Sequence, residues 1–389
     1  MKNLKRITGI LLAVVMILSL CACSQVPKTA TAQWSYKNDA REYAMGIYVY
    51  SLMTAYNQAY TILSEEQGED FDKEASILSQ ESSFDEAGKS YVCRDWVLKE
   101  ADYITRNLMA IDNMVEEFQV EIDPATEAAA YDQARKDWDL GPYYEEYRSY
   151  GYSAAPYKDL LEPMGISYES FYDATYLASV KQTAVFNRFY HKGGLKAVSE
   201  KEISEYFEEN YSSYSYFTVN LYESTTDSTT NQTVNTPLPE AKIKEIKENL
   251  SLYSTMMRAG NATFEEVIGM YAAYAGLDYD PSASYVEDLD NSSLPKEVAE
   301  VVGTLKDEET KIVYLGSGDT TVAYYLYKKP VAKETKSYIA NESNYDSLLQ
   351  DMKNDEFNET LREYTDKVEC EVNTQEVNKF TPELIESLI

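Results

Sequence analysis

The amino terminus carries the feature that most constrains this chain: a short basic head, then an apolar run, then small residues. Basic side chains occupy positions 2, 5 and 6, the run Ile7–Leu20 is apolar, and Cys21-Ala22-Cys23 follows. This order is typical of a secretory signal peptide, and the run is shorter than the ~20 apolar residues of a permanent membrane span. We therefore expect residues 1–22 to be removed and the remaining chain to function outside the cytoplasm.

The residues around the expected cleavage point, Leu20-Cys21-Ala22-Cys23, resemble the bacterial lipobox. The resemblance implies that Cys23 becomes the mature amino terminus and carries lipid. The protein would then be anchored on the outer face of the bacterial cytoplasmic membrane, with residues 23–35 as a tether. A diacylated cysteine would provide the two lipid chains that lasting attachment requires. The alternative is an ordinary secreted protein with a cysteine near its cleavage site.

The charge of the chain narrows the classes of partner. It has 35 basic and 66 acidic residues, for a net charge of −31. Such a surface repels nucleic acid and anionic lipid headgroups, so the sequence predicts neither as a partner. Hydrophobic residues make up 44% of the chain, which is enough for packed cores. The 36 tyrosines, against 11 phenylalanines, indicate that some form an aromatic binding surface while most pack in helices.

The cysteines and histidines limit the chemistry that the chain can perform. After processing and lipidation, Cys93 and Cys370 remain, and they could form a disulfide or stay as free thiols. The one histidine is His191, and there is no CxxC or HExxH spacing. The sequence therefore predicts no metal site, no cofactor and no histidine-based catalytic apparatus.

The hydrophobic pattern predicts an α+β fold in which helices surround a small insert. Spacings of three and four predict a long helix from Tyr36, whereas the aromatic and β-branched run Tyr214–Tyr222 predicts a strand. A Thr/Ser/Asn-rich loop over 223–239, two helices, a turn-rich acidic stretch and a short helix follow. A hairpin of two strands, 309–315 and 320–328, comes next. We expect a mostly helical, discontinuous domain formed by 36–210 and 332–389. The β-α-α-α-β-β segment 211–331 would be inserted within it.

Three short segments, one just before the insert and two within it, share a pattern with a known family. They are Val198–Asn210 (V-S-x-x-E-I-x-x-Y), Ala262–Ile268 and Leu294–Lys306. With the order of elements, they resemble the extracytoplasmic foldases of the parvulin-type (rotamase) peptidyl-prolyl isomerase family. In these proteins the isomerase module lies within a helical chaperone domain of the SurA and trigger-factor kind. The resemblance implies that the chain binds unfolded or nascent secreted polypeptides.

The resemblance also implies where an isomerase pocket would lie, and there the sequence departs from the family. Active parvulins place a histidine on the first strand and another on the last, and a Met and a Phe grip the proline. The corresponding degenerate pocket positions are Thr218 or Val219, Thr321 or Val322, and Ser293 with Val298. Because these residues supply neither the histidines nor the apolar clamp, we expect no catalytic residues and a loss of isomerase activity.

The main functional hypothesis is therefore a membrane-anchored chaperone that binds unfolded secreted polypeptides. It would hold them by aromatic contacts in a cradle between the helical domain and the insert. Two alternatives stay open at this point. The first is an active prolyl isomerase with a divergent pocket, and the second is a surface lipoprotein that binds a solute or a cell-wall ligand.

Overall fold

The computed structural model describes residues 33–84, 88–226 and 233–389. Cys23, the expected signal peptide 1–22 and most of the expected tether lie outside these residues. The chain is α+β and divides into two compact units. The first unit comprises Met1–Ala197 and Lys353–Ile389, and the second comprises Val198–Met352.

The secondary-structure elements of the described residues are numbered in chain order. The helices are α1 (Met45–Gln67), α2 (Cys93–Glu117), α3 (Pro124–Leu140), α4 (Tyr144–Ser149), α5 (Tyr157–Leu161), α6 (Tyr168–Tyr172), α7 (Ala178–Tyr190), α8 (Glu200–Asn210), α9 (Glu240–Arg258), α10 (Phe264–Ala275), α11 (Lys296–Thr304), α12 (Thr335–Ala340), α13 (Glu342–Asp366), α14 (Thr374–Val377) and α15 (Pro382–Glu386). The strands are β1 (Trp34–Lys37), β2 (Glu42–Ala44), β3 (Glu81–Ser83), β4 (Ser90–Val92), β5 (Tyr211–Asn220), β6 (Tyr222–Thr226), β7 (Thr233–Pro237), β8 (Ala283–Asp288), β9 (Thr310–Leu315), β10 (Val322–Lys329) and β11 (Glu371–Val372).

The start of the first unit differs from the expected helix at Tyr36 and from a tether reaching residue 35. Trp34–Lys37 is strand β1, which pairs antiparallel with β2 and with β11. Ser35 is fully buried and its hydroxyl donates to the carbonyl of Tyr43 at 3.1 Å. The helix begins only at Met45, because the side chain of Asn38 accepts backbone N–H groups and turns the chain between the two strands.

Helices α1 and α2 form the centre of the first unit. Its carboxyl-terminal segment contacts α7. Residues Met45, Val49, Leu52 and Leu63 of α1 are almost completely buried. The ring of Phe357, on α13, lies 5.3 Å from that of Phe186 on α7. Between α6 and α7 the helix widens into a π turn over Asp173–Leu177.

The second unit is built around a four-stranded antiparallel sheet with the strand order β8-β5-β10-β9. Helices α9 and α10 cover one face, where Phe217, Val219 and Tyr325 are buried. Helix α11 covers part of the other face, where Val298 and Leu326 are completely buried. The predicted strands 214–222, 309–315 and 320–328 correspond to β5, β9 and β10, and their ends differ by at most three residues.

Two segments of the second unit form strands where turns or loops were expected. Ala283–Asp288, within the acidic stretch, is strand β8, because its pairing with β5 overrides its Ser- and Asp-rich composition. The segment expected as a Thr/Ser/Asn-rich loop contains the hairpin β6–β7. Residues 227–232 lie outside the described part of the chain.

The second unit is also wider than the expected insert 211–331. It begins at Val198, where Ser199 and Glu202 form a capping box at the start of α8. The ring of Phe207 stacks on that of Tyr338 in α12 at 4.6 Å. Because the ring of Tyr211, at the start of β5, contacts both of these rings, α8 and α12 belong with the sheet.

Candidate functional site

The alternation of side chains along β5 divides its aromatic residues between the two faces of the sheet. Phe217 and Val219 point into the core formed with α9 and α10. Tyr214, Tyr216 and Thr218 therefore point to the opposite face, which α11 covers in part. The sequence Tyr214-x-Tyr216 thus places two tyrosine rings side by side on that face.

The neighbouring strands bring two more rings to the same place. Tyr214 lies directly opposite Tyr285 of β8, and Tyr324 of β10 lies opposite Thr218. The ring of Tyr216 is 6.3 Å from that of Tyr214 and 6.0 Å from each of the rings of Tyr285 and Tyr324. We call these four residues, Tyr214, Tyr216, Tyr285 and Tyr324, the tyrosine face.

The four rings differ in exposure. Tyr214 is almost completely buried, Tyr216 and Tyr324 are half-buried, and Tyr285 is 37% exposed. Tyr214 belongs to a buried apolar cluster with Val298 and Val302 of α11 and Leu326 of β10, and Tyr216 and Tyr324 pack against this cluster. The tyrosine face is therefore a supported aromatic surface that is open to solvent at its β8 edge. Such surfaces on soluble proteins are frequently binding sites.

One carboxylate lies among these rings. Glu287 accepts a hydrogen bond from the hydroxyl of Tyr214 at 2.5 Å. Burial and then this carboxylate raise the pKa of Tyr214 above the ordinary range of tyrosine. Burial, followed by the neighbouring Tyr285, also raises the pKa of Tyr216. Both phenols therefore stay protonated near neutral pH, and they can donate hydrogen bonds but cannot act as bases.

The structure spreads the predicted degenerate pocket positions over several environments. Thr218 is exposed on the same side of the sheet as the tyrosine face, and Val322 begins β10 on that side. Val219 is buried on the opposite side of the sheet, in the core with α9 and α10. Val219 is therefore a core residue.

The other three positions do not form a catalytic cluster. Val298 is completely buried in the same apolar cluster as Tyr214, and Ser293 is exposed before α11. Thr321 precedes β10, and its carbonyl accepts the N–H of Leu221 at 2.9 Å. Hydroxyl groups and aliphatic side chains at these positions offer no general acid or base. His191 follows the last residue of α7, in the first unit.

The two cysteines that could have formed a disulfide are free thiols in the structure. Cys93 begins α2, whereas Cys370 lies near Arg106, thirteen residues further along that helix. Burial raises the pKa of Cys93 to about 12, so this thiol is unreactive near neutral pH.

A charged cluster in the first unit has a different character. Asp112 accepts hydrogen bonds from Arg41 at 2.8 Å, from Tyr43 at 2.6 Å and from Lys181 at 2.5 Å, and Arg41 also pairs with Asp173. Burial raises the pKa of Asp112, but Lys181 and Arg41 lower it by more, so its net shift is downward. The cavity here has only about 10 Å³, room for about one water molecule. These groups satisfy one another, so the cluster is a structural link.

Helix α9 carries the larger of the two cavities described. It is an open groove of about 420 Å³, lined by Glu240, Ile243, Lys244, Lys247, Glu248 and Ser251. Among the described residues, no group of three or more His, Cys, Asp or Glu side chains could hold a metal ion. Within the same residues, no helix has the length and apolar character needed to cross a bilayer.

Sequence reasoning missed two members of the site, Tyr285 and Glu287. Both lie on β8, which reads as a turn-rich stretch because Ser, Asp and Pro surround it. The usable signal was the alternation Ala283-x-Tyr285-x-Glu287, which matches one face of a strand. The Tyr214-x-Tyr216 alternation was visible in the sequence, but its partner strand was not.

No protein-family model matches this chain, and no curated protein matches it. Among solved structures, the chain is similar to the crystal structure of foldase protein PrsA from Streptococcus pneumoniae. The sequence identity is 13%, the TM-score is 0.35, and the alignment covers 80% of this chain and 100% of that chain. A similarity of this extent assigns no role to any residue.

Proposed function

We propose that this chain is a lipid-anchored extracytoplasmic protein that holds unfolded secreted polypeptides on its tyrosine face and does not isomerise their prolyl bonds. The observation that carries the proposal is the tyrosine face itself, a supported aromatic surface that opens at the β8 edge. Tyrosine rings give a large, rigid contact area and a hydroxyl that bonds to backbone groups. These properties suit contacts with chains of many different sequences.

The residues at the predicted pocket positions support the proposed lack of isomerase activity. Prolyl isomerisation has a barrier of ~18–20 kcal/mol, and an enzyme lowers it with groups held in fixed positions. In the second unit, which contains no histidine and no cysteine, the pocket positions carry Thr218 and Val322 on one face and Val219 on the other. These side chains cannot provide the histidine network that the family resemblance implies for an active site.

The shapes of the two cavities and of the tyrosine face favour polypeptide binding over solute binding. A small-molecule site is an enclosed pocket with a few convergent polar groups. The groove on α9 is open, and the cavity at Asp112 is too small for a solute. The tyrosine face is an open surface, and such a surface fits an extended chain better than a small molecule.

The membrane anchor is part of the proposal and rests on the sequence. The segment ending in Cys23 has the order of a lipoprotein signal, and Cys23 would carry the lipid. Anchoring on the outer face of the bacterial cytoplasmic membrane would place the tyrosine face where secreted polypeptides emerge unfolded.

The experiment is suppression of aggregation of a reduced secreted protein, followed by light scattering, with the mature chain in several-fold molar excess. We expect the wild type to suppress aggregation and Tyr216→Ser/Tyr285→Ser to lose most of this effect. Tyr314→Ser is the matched control, because Tyr314 is 40% exposed on the same sheet but pairs with Ala323, which faces α9 and α10. The control variant should suppress aggregation as the wild type does.

Three results would contradict the proposal. The first is no suppression of aggregation by the wild type. The second is equal suppression by the double variant with its circular dichroism spectrum unchanged. The third is a substantial rate enhancement in a proline-peptide isomerisation assay, which would identify an active isomerase with a divergent pocket instead.

A further inference from the structure

The carboxylate of Glu287 on the tyrosine face forms no ion pair with a basic residue of the described chain. One oxygen accepts the hydroxyl of Tyr214, and among the described residues no Lys or Arg forms an ion pair with Glu287. The basic residue nearest in register is Lys328, but it is buried and its ammonium donates to the hydroxyl of Ser212 at 2.6 Å. Glu287 therefore leaves a negative charge at the border between the rings and solvent.

The chain around this carboxylate adds to the negative charge. Residues 278–290 contain no basic side chain, and their acidic residues are Asp278, Asp280, Glu287, Asp288 and Asp290. A stretch of chain with charges of one sign attracts ligands of the opposite sign. The complementary ligand here is a cation.

Among the described residues, no Lys or Arg lies over a ring of the tyrosine face, in contrast to other tyrosines of the chain. The guanidinium of Arg135 lies 3.6 Å from the ring centroid of Tyr168, and the ammonium of Lys247 lies 4.9 Å from that of Tyr314. In the part of the chain that the structure describes, no Lys or Arg lies over the ring of Tyr285. A cation placed there would gain both the ring quadrupole and the charge of Glu287.

We infer that the tyrosine face with Glu287 selects polypeptide segments that carry arginine or lysine. The cationic side chain lies against the ring of Tyr285 and beside the carboxylate of Glu287. This inference rests on the proposed function and adds the class of polypeptide that the same face prefers. Arginine fits best, because its planar guanidinium can stack on a ring and donate to a carboxylate at the same time.

The test uses the mature chain and three labelled, unstructured peptides of identical length, followed by fluorescence anisotropy. One peptide contains arginines, the second has citrulline at the same positions, and the third has glutamate. Citrulline keeps the planar shape and some of the N–H donors of arginine, replaces one amino group with a carbonyl oxygen, and removes the charge. We expect the arginine peptide to bind ~10-fold more tightly than the citrulline peptide, and the glutamate peptide to bind most weakly.

Two variants test whether the preference for the arginine peptide depends on Glu287. Glu287→Gln keeps an acceptor for the hydroxyl of Tyr214 and removes the charge. It should therefore weaken binding of the arginine peptide several-fold and leave binding of the citrulline peptide unchanged. Glu248→Gln removes the same charge from α9, on the other side of the sheet, and should change neither. The effect of Glu287→Gln should also shrink at high salt.

The outcomes separate this inference from the proposed function. Equal binding of the arginine and citrulline peptides would overturn the selectivity for cations while leaving polypeptide binding intact. Equal losses from Glu287→Gln and Glu248→Gln would overturn the site, since the net charge alone would then explain the preference. No binding of any peptide would overturn both the inference and the proposed function.

Discussion

The contribution of Tyr285 to the free energy of polypeptide binding can be calculated from its exposed area. A tyrosine side chain has an area of roughly 200 Å², and the 37% of Tyr285 that is exposed corresponds to about 75 Å². At ~25 cal/mol per Å², covering all of it would contribute about 2 kcal/mol. A bound chain covers about half of this area, so Tyr285→Ser should cost about 1 kcal/mol, or ~5-fold in Kd.

The assay is anisotropy of a labelled, reduced client peptide titrated with the mature chain. Tyr285→Phe keeps the ring and should bind within a factor of about two of the wild type, because the area dominates the contact. Tyr314→Ser, on the opposite face, should leave Kd unchanged. Unchanged affinity in Tyr285→Ser, with unchanged circular dichroism, would refute the assignment of this ring to the binding surface. Equal loss in the Phe and Ser variants would refute the area argument.

Three further predictions concern the structure around the site and the anchor. Asp112→Asn leaves Arg41 and Lys181 without their shared carboxylate and should destabilise the first unit by about 2 kcal/mol. Guanidinium unfolding followed by tryptophan fluorescence reports this unit, because all three tryptophans belong to it. The pKa of Asp112 is lowered in the folded state, so the ionised carboxylate stabilises the fold above pH ~4. This stabilisation is lost as the pH falls through the folded-state pKa. The difference in the free energy of unfolding between the variant and the wild type should therefore narrow at low pH. A difference that is constant with pH would contradict this. Burial lowers the pKa of Lys328, so Lys328→Met should stabilise the second unit at pH 7. The gain should fade as the pH rises towards the ordinary lysine pKa, because the unfolded wild type then loses its extra proton. Destabilisation at pH 7, measured by thermal circular dichroism, would show that the Ser212 contact outweighs the burial cost. Cys23→Ala should release the protein from the membrane fraction into the medium, as followed by immunoblotting, and retention at the membrane would contradict the lipid anchor.

The elements that local chemistry specifies were predictable from the sequence. The capping boxes at Ser199 and Thr263 mark the starts of α8 and α10, and the structure contains both. The turn before β10 likewise follows from its glycines. In each of these cases the residues that decide the structure lie within a few positions of one another.

The elements that depend on distant partners were not predictable. Strand β1 pairs with β11, which lies at the other end of the chain, and its tyrosines have spacings that also suit a helix. Strand β8 exists because its residues pair with β5, although its composition is typical of a turn. The candidate site shares this limit. Tyr214 and Tyr216 could be placed on one face from β5 alone, but Tyr285 and Glu287 join them only through the register between the two strands.

The most direct test of the central claim is hydroxyl-radical footprinting of the mature chain with and without a bound, reduced client protein. The account predicts that client binding lowers the oxidation of Tyr285 and Tyr216 and leaves that of Tyr314 unchanged. Unchanged oxidation of Tyr285 and Tyr216 while the client stays bound would contradict the claim that the tyrosine face holds unfolded polypeptides.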